Sequence, residues 1–259
     1  MAVGLAALGT LGVVGFSVVA WLPADAKHSP TVTDAVTGAG HTPTASSTSR
    51  APKPTPKPTP TPSRTKEPSI TIPQHGPGTY VTAPGGSAVV GKGKAFRYTV
   101  EVENGIDVSP AEAAKEVERI LADPRGWTAD GHSAFQRVSS GPVDLHIRIA
   151  TPDTVDTNCL QHGLDTGGEY NCSADGDVMV NLKRWVLATP VYAKDVPSYR
   201  ALIINHEVGH FLGHGHVTCP GKGKPAPAMM QQIKGMLGCV PNVWPYDTEG
   251  RLITGPAAP

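Results

Sequence analysis

The chain has 259 residues with 22 basic and 22 acidic side chains, and aromatic residues make up 5% of it. Zero net charge argues against the basic surface of a nucleic-acid binder, and there is no acidic tail. The 26 prolines concentrate early, so only the later part has the composition of a packed domain.

Ala2–Leu22 carries no charged residue. As a helix it would reach about 31 Å, the thickness of a bilayer core. Residues 1–26 therefore read as a membrane anchor, or as a signal peptide cut near Ala24–Ala26. Either reading places the rest of the chain outside the cytoplasm, with a membrane contact only if the segment is retained. Residues 27–72 alternate Pro with Thr and Lys and hold almost nothing apolar, which predicts an extended, semi-rigid stalk.

Residues 73–259 are long enough for one domain with a sizeable core. Phe96–Glu103 alternates apolar and polar residues and predicts a strand. Ser109, Pro110 and Glu112 open an amphipathic helix whose apolar stripe is Ala114, Val117, Ile120 and Leu121. A strand is expected in "SAFQRVSS". In "VDLHIRI", Val143, Leu145, Ile147 and Ile149 share one face, with His146 on the other as a solvated side chain. Asp177–Trp185 reads as a further strand. Strands interleaved with helices predict an α/β (α+β) domain: a mixed sheet with helices packed on it.

All four cysteines lie beyond the stalk. Downstream of an export-like segment, an even count favours two disulfides. Sequence order suggests Cys159–Cys172 and Cys219–Cys239, although three connectivities exist. No CxxC spacing supports a four-cysteine metal site.

Ser198 is a candidate cap for a helix over Tyr199–Leu212. On such a helix Ala201, Ile204, Val208, Phe211 and Leu212 face the core, while His206 and His210 stack one turn apart on the other side. Gly213 allows a sharp turn. His214 follows it too closely to return, and His216 has room to come back. His206, His210 and His216 are therefore the expected ligands of one Zn2+, with Glu207 beside them. HExxHxxGxxH would match by accident with a probability on the order of 10⁻⁴ at this composition. Three neutral imidazoles leave zinc one open position, where water ionises near neutral pH. Glu207 is then the catalytic base for attack on a carbonyl carbon. Trp127, Trp185 and Trp244 are expected to pack rather than bind, and nothing requires His162 in the cleft.

This motif resembles that of the metzincin zinc metalloproteases. The downstream block, "HEVGHFLGHGHVTCPGKGKPAPAMMQQ", is similar to a family of uncharacterised extracytoplasmic metzincin-like proteins. The resemblance implies a twisted, mostly parallel sheet, a backing helix, an active-site helix and a small C-terminal subdomain. It implies a methionine turn beneath the metal, at Met230 after Ala228, with Met229 the second choice. It also implies that substrate lies along an edge strand, flanked by "VDLHIRI" or the Cys159–Cys172 segment. Val217 and Gln232 depart from metzincin subfamilies that place an acidic residue and a tyrosine there, and no cysteine latch precedes Cys159. The expectation is a monomeric extracytoplasmic zinc endopeptidase acting on proteins or peptides. The alternatives are a non-catalytic zinc-containing envelope-binding module and a cell-wall peptide hydrolase.

Overall fold

The computed structural model describes residues 70–259; the apolar N-terminal segment and the stalk up to residue 69 lie outside the described residues. One mixed sheet organises the domain. Its strands are β1 (Tyr80–Thr82), β2 (Val90–Gly91), β3 (Ala95–Glu103), β4 (Ala134–Arg137), β5 (Leu145–Ala150), β6 (Cys172–Ala174) and β7 (Asp177–Asn181). The order is β2-β4-β3-β5-β7-β6. The central pairs β3–β4, β3–β5 and β5–β7 are parallel. β2 and β6 run antiparallel at the two margins, and β1 pairs antiparallel with the end of β3.

Alternation decides which face is covered. Tyr98, Val100 and Val102 of β3, Leu145, Ile147 and Ile149 of β5, and Val178 and Val180 of β7 form the buried face. Helix α1 (Pro110–Leu121) packs there through Ala113, Ala114, Val117, Ile120 and Leu121. The Ser109 side chain accepts from the Glu112 backbone N–H, as its position predicts. Helix α4 (Val196–Phe211) adds Ala201, Ile204 and Val208 to the same core.

The other face carries a polar ladder. His146 is not simply solvated there: its Nδ1 lies 2.9 Å from Glu101 Oε1 and 3.0 Å from Thr99 Oγ1. Arg148 donates to Glu101 at 2.8 Å and to Asp177 at 2.6 Å. Helix α2 (Pro152–Leu160) covers the remainder of this face, packing Val155 and Cys159 on Ala150 and Met179.

Two element boundaries differ from expectation. The strand expected over Asp177–Trp185 stops at Asn181, whose side chain accepts from the Lys183 N–H and starts helix α3 (Leu182–Leu187). The helix expected from Ser198 begins earlier. Asp195 is its cap, accepting from the Ser198 N–H at 3.2 Å. Both disulfides, Cys159–Cys172 and Cys219–Cys239, follow sequence order and use every cysteine of the chain. Two such bonds belong to an oxidising, extracellular environment. Among the described residues no helix is long and apolar enough to cross a membrane.

Candidate metal centre

Helix α4 has two useful faces. Ala201, Ile204 and Val208 enter the core, while Tyr199, Leu202, Ile203, His206, Glu207 and His210 all line one cleft of about 570 Å³. Each member of that second set has another three or four residues along the helix, which keeps the set on one stripe. The helix ends at Phe211 with Leu212 as its C-cap, and Gly213 follows with φ 90°. Two backbone bonds close this end: Gly213 N–H to His210 O and His214 N–H to Gly209 O, both 2.9 Å.

The turn sends His214 and His216 in different directions. The His214 ring stacks on Trp127, with centroids 4.3 Å apart, away from the cleft. His216 returns to the helix. Its Nε2 lies 3.1 Å from His206 Nε2 and 3.0 Å from His210 Nε2, and the latter two are 3.2 Å apart. Donors sharing a tetrahedral zinc at about 2.0–2.1 Å stand roughly 3.3 Å from one another. The triad is within a few tenths of an ångström of that separation.

The ring protons are placed consistently with this. His206 Nδ1 donates to Ala228 O at 2.7 Å, and His210 Nδ1 donates to His214 O at 2.9 Å. A neutral imidazole that donates through Nδ1 presents a lone pair at Nε2. Burial, then the neighbouring rings, hold His206 down to about 3 and His216 down to about 4, and burial also lowers His210. Three uncharged nitrogens thus converge on one point, and among the described residues they are the one cluster able to hold a metal ion. The donor set fits zinc, which accepts imidazole nitrogen readily.

Glu207 is 5% exposed and lines the cleft beside the triad. Its carboxylate makes no hydrogen bond among the described residues. Burial pushes its pKa up to about 8. A cation held by the triad would oppose that rise by favouring the carboxylate.

The segment after His216 forms the other wall. Ala228 supplies the carbonyl that orients His206, and Met229 and Met230 are buried. Met230 lines the cleft with the three histidines, whereas Met229 enters the main core beneath α4. Gln232 also lines the cleft, but its amide is engaged. It accepts from Tyr192 Oη at 2.7 Å and donates to Asn242 O at 2.7 Å. The facing wall is the loop closed by Cys159–Cys172, with Asn171, Cys172 and Ser173 leading into edge strand β6. Of the two segments expected to flank the cleft, this is the one that does; β5 is central in the sheet.

A family model described as a protein of unknown function, DUF3152, matches residues 67–246. The chain belongs to the DUF3152 family. No curated protein and no solved structure matches the chain. The match takes in the triad, Glu207, Met229 and Met230, so the candidate metal centre of this DUF3152 chain lies within the family region.

Three features of the site were not foreseen. Tyr199, Leu202 and Ile203 line the cleft, although only the histidine side of the helix was singled out; their offsets from His206 and His210 carried that signal. Trp127 was expected to pack, and it does at 1% exposure. Its indole N–H also donates to Asn205 O of α4 at 2.8 Å. The carbonyl acceptors at 214 and 228 have no sequence signal, because every residue has a carbonyl.

Proposed function

We propose that this chain is an extracytoplasmic, metzincin-like zinc endopeptidase, held on its stalk at the cell surface or released. The observation that carries the reading is the convergence of three Nε2 atoms within 3.0–3.2 Å, with Glu207 on the same cleft. Bound there, zinc would supply a Lewis acid and a water that ionises near neutrality. His206, His210 and His216 would hold the ion, the first two aimed by their Nδ1–H bonds to backbone carbonyls. Glu207 takes the proton of the attacking water and returns it to the departing amine nitrogen. Burial and the neighbouring cation would act on Glu207 in opposite directions, and the carboxylate lies on the cleft where both transfers take place.

A peptide substrate is favoured by the shape of the cleft. β6 pairs with β7 on one side only, so its outer edge offers backbone donors and acceptors to an extended chain. The apolar stripe of Tyr199, Leu202 and Ile203 lies one and two helical turns from His206, within reach of a side chain next to the scissile bond.

The test is zinc-dependent cleavage of an unfolded protein by the purified chain. Cleavage should stop on chelation and return with zinc. Glu207→Gln should lower the rate by roughly 10²–10⁴-fold with zinc still bound at one equivalent. Stoichiometric zinc with no turnover on a broad peptide library would favour a binding module instead. Cleavage of cell-wall cross-links but not of proteins would favour a wall hydrolase.

A further inference from the structure

The three ligands are not held alike. His206 and His210 are aimed twice, by α4 and by an Nδ1–H bond to a backbone carbonyl. His216 lies beyond the helix, and its Nδ1 makes no hydrogen bond among the described residues. Its ring can be placed only by its own backbone, so what holds residues 216–218 governs the third ligand.

Two segments hold them. On one side the Val217 N–H donates to Met229 O at 3.2 Å. On the other lies the C-terminal segment. Thr218 N–H donates to Pro256 O at 2.8 Å, Ala258 N–H donates to His216 O at 3.0 Å, and Val217 and Ala257 form an antiparallel bridge. The Thr218 hydroxyl adds a bond to Pro256 O at 3.3 Å. The segment arrives by a short hairpin in which Tyr246 bridges Leu252 and Ile253 N–H donates to Pro245 O at 2.7 Å. Gly255 permits the close approach. A methyl group there would fall on the Thr218 carbonyl oxygen and lie 3.1 Å from its carbon, both rigid main-chain atoms.

We infer that residues 255–258 form a positioning strap that holds His216 in ligand geometry by strand pairing along residues 216–218. The strap lies beyond the family match, which ends at residue 246. This inference rests on the zinc reading of the triad. The strap residues do not line the cleft; they act through the backbone of His216.

The experiment compares the full chain with a form ending at Thr254, with Gly255→Ala, and with His216→Ala. Zinc affinity is measured by chelator competition, ligand geometry by the visible spectrum of the cobalt-substituted protein, and metal-free stability by thermal unfolding. Both strap variants should bind zinc about 10–100-fold more weakly, as orienting partners of metal ligands do when removed. Their cobalt spectra should move towards that of His216→Ala. If the shortened chain fails to fold, the milder Gly255→Ala decides the matter. Zinc affinity within twofold of the intact chain, with only the metal-free melting temperature lowered, overturns the strap. An intact chain that binds no zinc, or binds it as tightly after His216→Ala, overturns the metal reading itself.

Discussion

Gly209 sits in α4 beside His210 of the triad, and its replacement by alanine sets two effects of known size against each other. Alanine is the better helix former by about 0.8–1.0 kcal/mol, so propensity alone predicts stabilisation. The added methyl, however, would collide with Met229 Sδ and stand 2.7 Å from Trp127 Cζ2. Met229 can change rotamer. Trp127 cannot follow: it is 1% exposed, bonded to Asn205 O and stacked on His214. Overpacking a rigid neighbour costs about 1–3 kcal/mol, and two simultaneous collisions place this site near the upper end. The net expectation is a loss of about 2 kcal/mol. For a domain of this size that is roughly 4–8 °C in melting temperature. The assay is thermal unfolding of the metal-free chain, wild type against Gly209→Ala, repeated in a Met229→Ala background. There only the Trp127 collision remains, and the penalty should shrink by at least about 0.5 kcal/mol. An unchanged or higher melting temperature for Gly209→Ala would refute the close packing of helix, methionine and tryptophan.

Glu103 is 1% exposed and accepts from Gly78 N–H, Thr151 N–H and Thr154 Oγ1 at 2.6–2.7 Å. Glu103→Ala should cost about 3–5 kcal/mol, because the donors lose their acceptor. Hydrogen exchange should show Gly78 and Thr151 losing protection first. At Glu101, burial raises the pKa, but bonds from Arg148, His146 and Thr99 outweigh it, and the net shift is downward from 4.5. A depressed carboxyl stabilises the fold above its unfolded pKa, and that contribution is lost as pH falls through the folded value. Metal-free melting temperature should therefore fall below about pH 4.5, and Arg148→Met should make that fall shallower. An unaltered slope would count against the ladder. Cys219–Cys239 closes a 20-residue separation that includes Met229 and Met230. Replacing the pair by serine should cost about 3 kcal/mol by chain entropy, read from the denaturant midpoint.

The parts of the molecule legible in the sequence are those where residue type and spacing coincide with chemistry. His206 and His210 at a four-residue offset, Gly213 at the bend and His216 beyond it come together as their spacing predicts. α1 also forms where its cap, proline and apolar stripe place it. Misreadings arose where two patterns overlap. Val178, Val180 and Leu182 continue an apolar alternation across Asn181, so the switch from strand to helix is invisible until the Asn181 side chain is seen capping α3. Ser198 is a capping residue type directly before the apolar run, but Asp195 is the cap, and the Ser198 N–H donates to it. Alternation assigned His146 to the outer face, but its partner Glu101 is set by strand register, which a single sequence does not encode locally. Helix α2 has little apolar periodicity of its own and is anchored by Cys159 and by Glu103 at its first turn.

The acceptors that set the proton on His206 and His210 are main-chain oxygens, at residues 228 and 214. No side-chain replacement at either position can delete them; only rerouting the backbone can. Vulnerability of the centre therefore shifts to places that define the path of the chain, such as the bend at Gly213 and the tight crossing at Gly209. Variation that spares those glycines should leave the imidazole tautomers unchanged even where the neighbouring side chains are replaced.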